Sequence, residues 1–134
     1  INLQSHEVTS RRTVYQFTQD LSAAILLTTC TATQVTMTKP ASSGTTTVSY
    51  VYSSGSGTFV RTEGSKSWTL LTDLTSLVIT YYNEGGTEIT GSPQSVKAVE
   101  LSFTTTTGSA LSGTRVSSTT VAPRVLLRNK PLLE

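Results

Sequence analysis

The sequence predicts an α+β fold, an N-terminal amphipathic helix packed on an antiparallel β-meander. Three observations carry this. Apolar residues recur at helical spacing as far as Leu27 and at strand spacing after it. Gly, Ser, Asn and Pro then punctuate the chain at short intervals, as turns require. Ser and Thr together reach roughly a third of the residues, well above an ordinary globular domain; Thr suits a pleated surface and Ser suits turns.

The helix is expected over about residues 1–27. With Val14 at zero on a helical wheel, Phe17, Leu21 and Ile25 fall within about 60° of it. Burying these four side chains would contribute about 6–12 kcal/mol, at 1.5–3 each. That is an upper figure, because unfolded chains are already partly compact. Leu3 lies on the same line, but Glu7 and Ser10 interrupt it, so only the C-terminal half is suited to docking on its own domain. A second stripe runs through Ile1, Val8 and Tyr15, about 100–140° away. It reads equally as stray exposed apolar residues or as a face for another partner. Asp20 lies inside the apolar half and is expected to cap or pair locally, with an arginine as a candidate partner.

Strands are expected over about residues 31–123, six or seven in all, on the change to period two. TATQVTMT puts Val35 and Met37 on one face, and Lys39-Pro40 with the following SSG reads as a break. TTTVSYVYSSGSGTFVRTEG reads as a hairpin with Val48, Tyr50 and Tyr52 on one face. SWTLLTDL is a short strand or connection. SLVITYYNEGGTEIT is a strand, a Gly-Gly turn and a short return. SVKAVELSFTTTTG turns Val99, Leu101 and Phe103 inward and Ala98, Glu100 and Ser102 outward. GTRVSSTTVAP is the last strand, stopped at Pro123, which cannot donate to a ladder. No internal repeat or linker divides the chain, so residues 1–134 are read as a single domain.

The chemistry-bearing residues are sparse. A net charge of +2 comes from ten basic and eight acidic residues, spread along the chain except for Arg124, Arg128 and Lys130. Nucleic-acid binding needs a clustered basic footprint, and none is expected. Cys30 is the only cysteine, which rules out an intrachain disulfide and reads as a small buried hydrophobe. His6 is the only histidine; Ser10 stands where a zinc-protease helix would carry its second His. Glu84 and Glu88 flank a Gly-Gly turn and read as a solvated hairpin tip. SSGSG lacks the Lys-Ser/Thr ending of a phosphate loop and the order of a nucleophile elbow. Neither a catalytic residue nor a metal or cofactor site is expected, and the chain is not read as an enzyme. The longest apolar run, Ala23 to Leu27, is far short of the roughly 20 residues a spanning helix needs.

The order of elements carries a resemblance. The helix closes on FTQDLSAAI, a Thr-rich meander follows, then LTSLVITYYNEGG, SVKAVELSFTT and a closing STTVAPR. From about Arg11 to Arg124 the chain resembles the soluble portion of type IV pilin-like proteins, in particular J-type minor pseudopilins of type II secretion systems. The segments VKAVELSF and VAPR carry most of it. The resemblance implies a pilin-like fold and a structural subunit of a secretion pseudopilus or type IV pilus-like filament. It implies a prepilin motif and an apolar half-helix upstream of Ile1, anchorage in the inner membrane, and a soluble domain in the periplasm or on the cell surface. The expected partners are other pilin-like or pseudopilin subunits, with no nucleic acid and no small-molecule substrate. On this view Val14, Phe17, Leu21 and Ile25 face the subunit's own sheet, and Ile1, Val8 and Tyr15 form the assembly face. The competing reading is a secreted or surface binding module, adhesin-like or carbohydrate-binding, using exposed Trp68, Tyr81 or Tyr82. A hydrolase would need a cleft holding two close carboxylates.

Overall fold

A computed structural model describes residues 3–108, 115–121 and 124–127. A single helix, α1 (Leu3–Ala23), precedes the strands. It stops four residues short of the expected end. Ala24 N–H bonds back to the Leu21 carbonyl, and Ile25 N–H already bonds to Thr38 O at 2.9 Å, a sheet contact. Leu26 and Leu27 then behave as strand residues, one outward and one inward. The apolar run AAILL suits either element by periodicity, and tertiary pairing decides it.

Among the described residues ten strands follow, more than the six or seven expected, in two five-stranded antiparallel sheets. The first sheet is a plain meander of β1 (Leu26–Cys30), β2 (Gln34–Ala41), β3 (Gly44–Ser53), β4 (Thr58–Glu63) and β5 (Lys66–Leu71). The second is built on the central pair β6 (Leu74–Tyr82) and β8 (Ala98–Gly108). The two-residue β7 (Glu88–Ile89) extends β6 on its outer side. Beyond β8 lie β9 (Arg115–Val121) and β10 (Val125–Leu126), both paired to it. Strand pairing thus resumes after Pro123, which lies outside the described residues, and β10 is an element the alternation did not reveal.

The expected break at Lys39-Pro40 is not there. β2 runs through Pro40 to Ala41, and the turn is the two residues between Ala41 and Gly44. β1 reaches only as far as Thr38 along β2. Pro40 therefore sits where β2 has one neighbour, and its missing N–H interrupts no ladder on the other side.

The high Ser and Thr content has a place in this fold. On the face of the first sheet away from α1, Thr29, Thr36, Ser49, Thr62 and Ser67 fall in one row across all five strands. Thr36 and Ser49 share a hydroxyl bond of 3.1 Å, and Thr62 and Ser67 one of 2.9 Å. Such cross-strand pairs stabilise a sheet without needing a hydrophobic cover.

The opposite face is the core. Val35, Met37, Val48, Tyr50 and Phe59 point toward α1 and are fully buried. Phe17 of the helix meets Tyr50 edge-on at 5.1 Å, and Tyr50 stacks on Phe59 at 5.5 Å. Leu77, Ile79, Val99, Leu101 and Phe103 of the second sheet join the same core, as the alternation in β8 predicts. Ala98, expected outward, is also buried; it stands between Tyr82 and Leu126 on the neighbouring strands.

The sheets are stitched where β6 passes the turns of the first sheet. Ile79 N–H bonds to Ala32 O, and Tyr81 donates its hydroxyl to the carbonyls of Thr31 and Gln34. Leu74 N–H bonds to Gly57 O at 3.0 Å. Gly57 has φ +65°, and a Cβ there would lie 2.9 Å from the Leu74 carbonyl oxygen. Glycine is required twice over, by handedness and by the close approach. Gly57→Ala is expected to cost at least about 1–2 kcal/mol from the left-handed backbone alone, read as a lower urea midpoint with an unchanged slope. Gly55, with nothing within 4 Å of its Cβ position, is the control and should accept alanine within about 0.5 kcal/mol.

Candidate functional site

The two faces of α1 differ sharply. Phe17 and Leu21 are fully buried, with Thr13 and Asp20 beside them. Val14 is only half-buried against the core. Ile25, expected to complete the helical stripe, lies beyond the helix end and is half-buried there. On the other side Val8 is 44% exposed and Tyr15 66% exposed, with Arg11, Arg12 and Gln19 also exposed around them. Ile1 lies outside the described residues. The exposed arc is the candidate assembly face.

Beneath it lies a polar cluster centred on Asp20. Its carboxylate is fully buried and takes donors from three neighbouring strands. Lys39 Nζ of β2 lies 2.7 Å from Oδ1. The Tyr50 hydroxyl of β3 donates to Oδ2. Arg61 of β4 donates through Nε to Oδ2 at 2.7 Å and through Nη2 to Oδ1 at 3.2 Å. Gln16, one turn back on α1, adds a longer bond of 3.3 Å. Arg61 turns its remaining capacity to Glu63 at 2.8 Å and lies over the Trp68 ring at 5.4 Å. Among the described residues no buried side-chain nitrogen or oxygen lacks a partner.

Burial alone would raise the Asp20 pKa. Hydrogen bonds from Arg61, Lys39 and Tyr50, with the Arg61 charge, outweigh it and hold the carboxyl below its ordinary value. Burial and the adjacent Asp20 charge together push the Tyr50 hydroxyl up, so it stays protonated and donating. For Arg61 burial works against the charge, and bonds to Asp20 and Glu63 more than offset it, so the guanidinium is firmly cationic. The cluster is an ionised, saturated clamp. Both carboxylate oxygens are already taken by donors.

Asp20 thus has a local partner in Gln16 and a long-range one in Arg61, 41 residues away. Strand parity held a signal for it. Arg61 alternates with Phe59, and Lys39 with Met37 and Val35, so both cations fall on the inward face. A helix docking there had to bring an anion.

The remaining candidate residues stay apart. Tyr81 and Tyr82 are buried, at 4% and 8% exposure, while Trp68 on the edge strand β5 is 44% exposed. The three aromatics named for a sugar-binding surface thus form no exposed cluster. Tyr82 donates to Glu100 at 2.7 Å, with the Arg124 guanidinium 3.7 Å above its ring. Glu84 and Glu88 are exposed around the β6–β7 turn, which is held by Asn83 accepting from Thr87 N–H. Cys30 is buried at one side of a mainly apolar groove of about 160 Å³, also lined by Ile79, Tyr81, Glu88 and Ile89. Among the described residues no group of three or more His, Cys, Asp or Glu could hold a metal ion. No helix there is long and apolar enough to cross a membrane.

No protein-family model, curated protein or solved structure matches this chain.

Removing the charge from Asp20 leaves buried Arg61 with only the half-exposed Glu63 as counter-ion, which costs far more than the intact pair contributes. Asp20→Asn is expected to lower stability by about 3–5 kcal/mol at pH 7. The carboxyl titrates lower in the folded chain than its ordinary 3.8. Its contribution is therefore complete above that value and is lost as pH falls through the folded value. The deficit of Asp20→Asn relative to wild type should stay constant from about pH 7 to pH 5 and narrow below about pH 4. Urea melts of both proteins across that range check it.

Proposed function

We propose that this chain is a structural subunit of a pilin-like filament, a secretion pseudopilus or a type IV pilus-like fibre, assembling through its N-terminal helix with other pilin-like subunits. The single observation that carries the reading is the division of α1. One side is fixed to the sheet by Phe17, Leu21 and Asp20, and the opposite side offers Val8 and Tyr15 to solvent. An N-terminal helix on an antiparallel meander is the architecture the pilin-like resemblance implies. The order of the quoted segments, FTQDLSAAI through VKAVELSF to STTVAPR, supports the same reading.

In this proposal the helix continues upstream of Ile1 into an apolar segment that sits in the inner membrane and later in the filament centre, with the β-rich domain in the periplasm or at the cell surface. The subunit works by shape. The sheets hold the helix in one orientation, and the exposed helix face packs against neighbouring subunits. No catalytic step or cofactor enters.

The test separates the two faces of the helix. Val8→Asp should leave the 134-residue chain as stable as wild type, within about 0.5 kcal/mol. In the full-length protein in its own cell it should block incorporation into filaments. Phe17→Asp should prevent folding, because it buries an unpaired charge. Normal filament incorporation of Val8→Asp would overturn the assembly role of this face. A loss of stability in Val8→Asp equal to that of Phe17→Asp would show that the face belongs to the core.

A further inference from the structure

We infer that the Asp20 network sets the rotation of α1 about its axis and so decides which face of the helix is offered to partners. The observation is a mismatch between the apolar stripe and the buried arc. At 100° per residue from Val14, the apolar stripe that lies within α1, Val14, Phe17 and Leu21, is centred about 27° toward Phe17. The buried helix side chains are Thr13, Phe17, Asp20 and Leu21, and they are centred about 75° in that direction. The helix is turned by about 50° from the setting its apolar spacing favours.

The turn removes Val14 from full burial and brings in Thr13, whose hydroxyl bonds only to the Thr9 carbonyl of its own helix, at 2.9 Å. Exchanging a valine for a threonine at the interface is a loss in apolar terms. Phe17 and Leu21 lie within about 55° of the centre of either setting and do not discriminate between them. Asp20 does. It lies about 120° from Val14 on the Thr13 side, and only the turned helix brings it over Lys39, Tyr50 and Arg61. The same turn moves the opposite side of the helix onto Val8 and Tyr15, which are centred about 180° from the buried arc. Polar networks of this kind have their best-attested use in fixing register.

The rotational setting is a property of the isolated chain. Only its consequence for assembly rests on the filament reading.

The experiment replaces the network with apolar groups of similar size, Asp20→Leu, Lys39→Met, Tyr50→Phe and Arg61→Met together, so that no buried charge is left unpaired. In a Cys30→Ala background, cysteines introduced one at a time as Thr13→Cys and Val14→Cys report rotation through their rates of reaction with a maleimide. With the network intact, position 13 should react at least tenfold more slowly than position 14. In the quadruple variant the order should reverse, while the chain still unfolds cooperatively. An unchanged order in a folded quadruple variant would overturn the inference, assigning the rotation to packing. Loss of cooperative unfolding, with both positions fast, would also overturn it, because the network would then supply the stability of the docked helix and not its orientation. The rates are read without filaments, so failure of the assembly proposal would leave them unchanged.

Discussion

Asp20 enters the core as a charge, and much of the rest is arranged to keep it one. A carboxylate with no exposure is costly unless donors replace the water it has lost. Here the donors come from β2, β3 and β4, which places the middle of the first sheet under the C-terminal half of α1. Phe17 and Leu21 then fill the space beside it against Tyr50 and its neighbours. The apolar contacts and the ionic contacts name the same docking site, which makes the helix position hard to satisfy in any other way.

Much of this was legible in the sequence where periodicity and burial agree. The alternation in β8 identified Val99, Leu101 and Phe103 because each strand position has only two faces and one is covered. Phe17 and Leu21 were legible for the same reason at helical period. The end of the helix was not, because AAILL fits both elements and the choice depends on Thr38, a residue outside the local window. Pro40 misled for a related reason: its cost depends on whether β2 has a neighbour there, and that is a property of the sheet. The Asp20–Arg61 pair was half legible, since an arginine was a candidate partner but its place in the chain was not. It joins residues 41 apart, and an acidic residue in an apolar helix says that a partner is needed without saying where it is. Val14 was assigned to the interface on apolar spacing and is only partly covered there, while Ile25 lies beyond the helix end.

The clamp also bears on what the domain offers to others. A helix held at one edge of its apolar stripe leaves its far side free, and that side carries Val8 and Tyr15. On the filament reading the β-rich domain is then a support that fixes one helix face and presents another. On the outer face of the first sheet the hydroxyls of Thr36 and Ser49, and of Thr62 and Ser67, pair across the strands.

The most direct test of the account is the protonation state of Asp20 itself, followed by the carboxyl carbon chemical shift as pH is lowered. The account predicts a carboxylate that shows no titration down to its ordinary value of 3.8 and changes only below it or together with acid unfolding. A folded protein in which the Asp20 carboxyl takes up its proton above that value would mean that burial outweighs its partners. The ionic clamp would then not be what orients the helix.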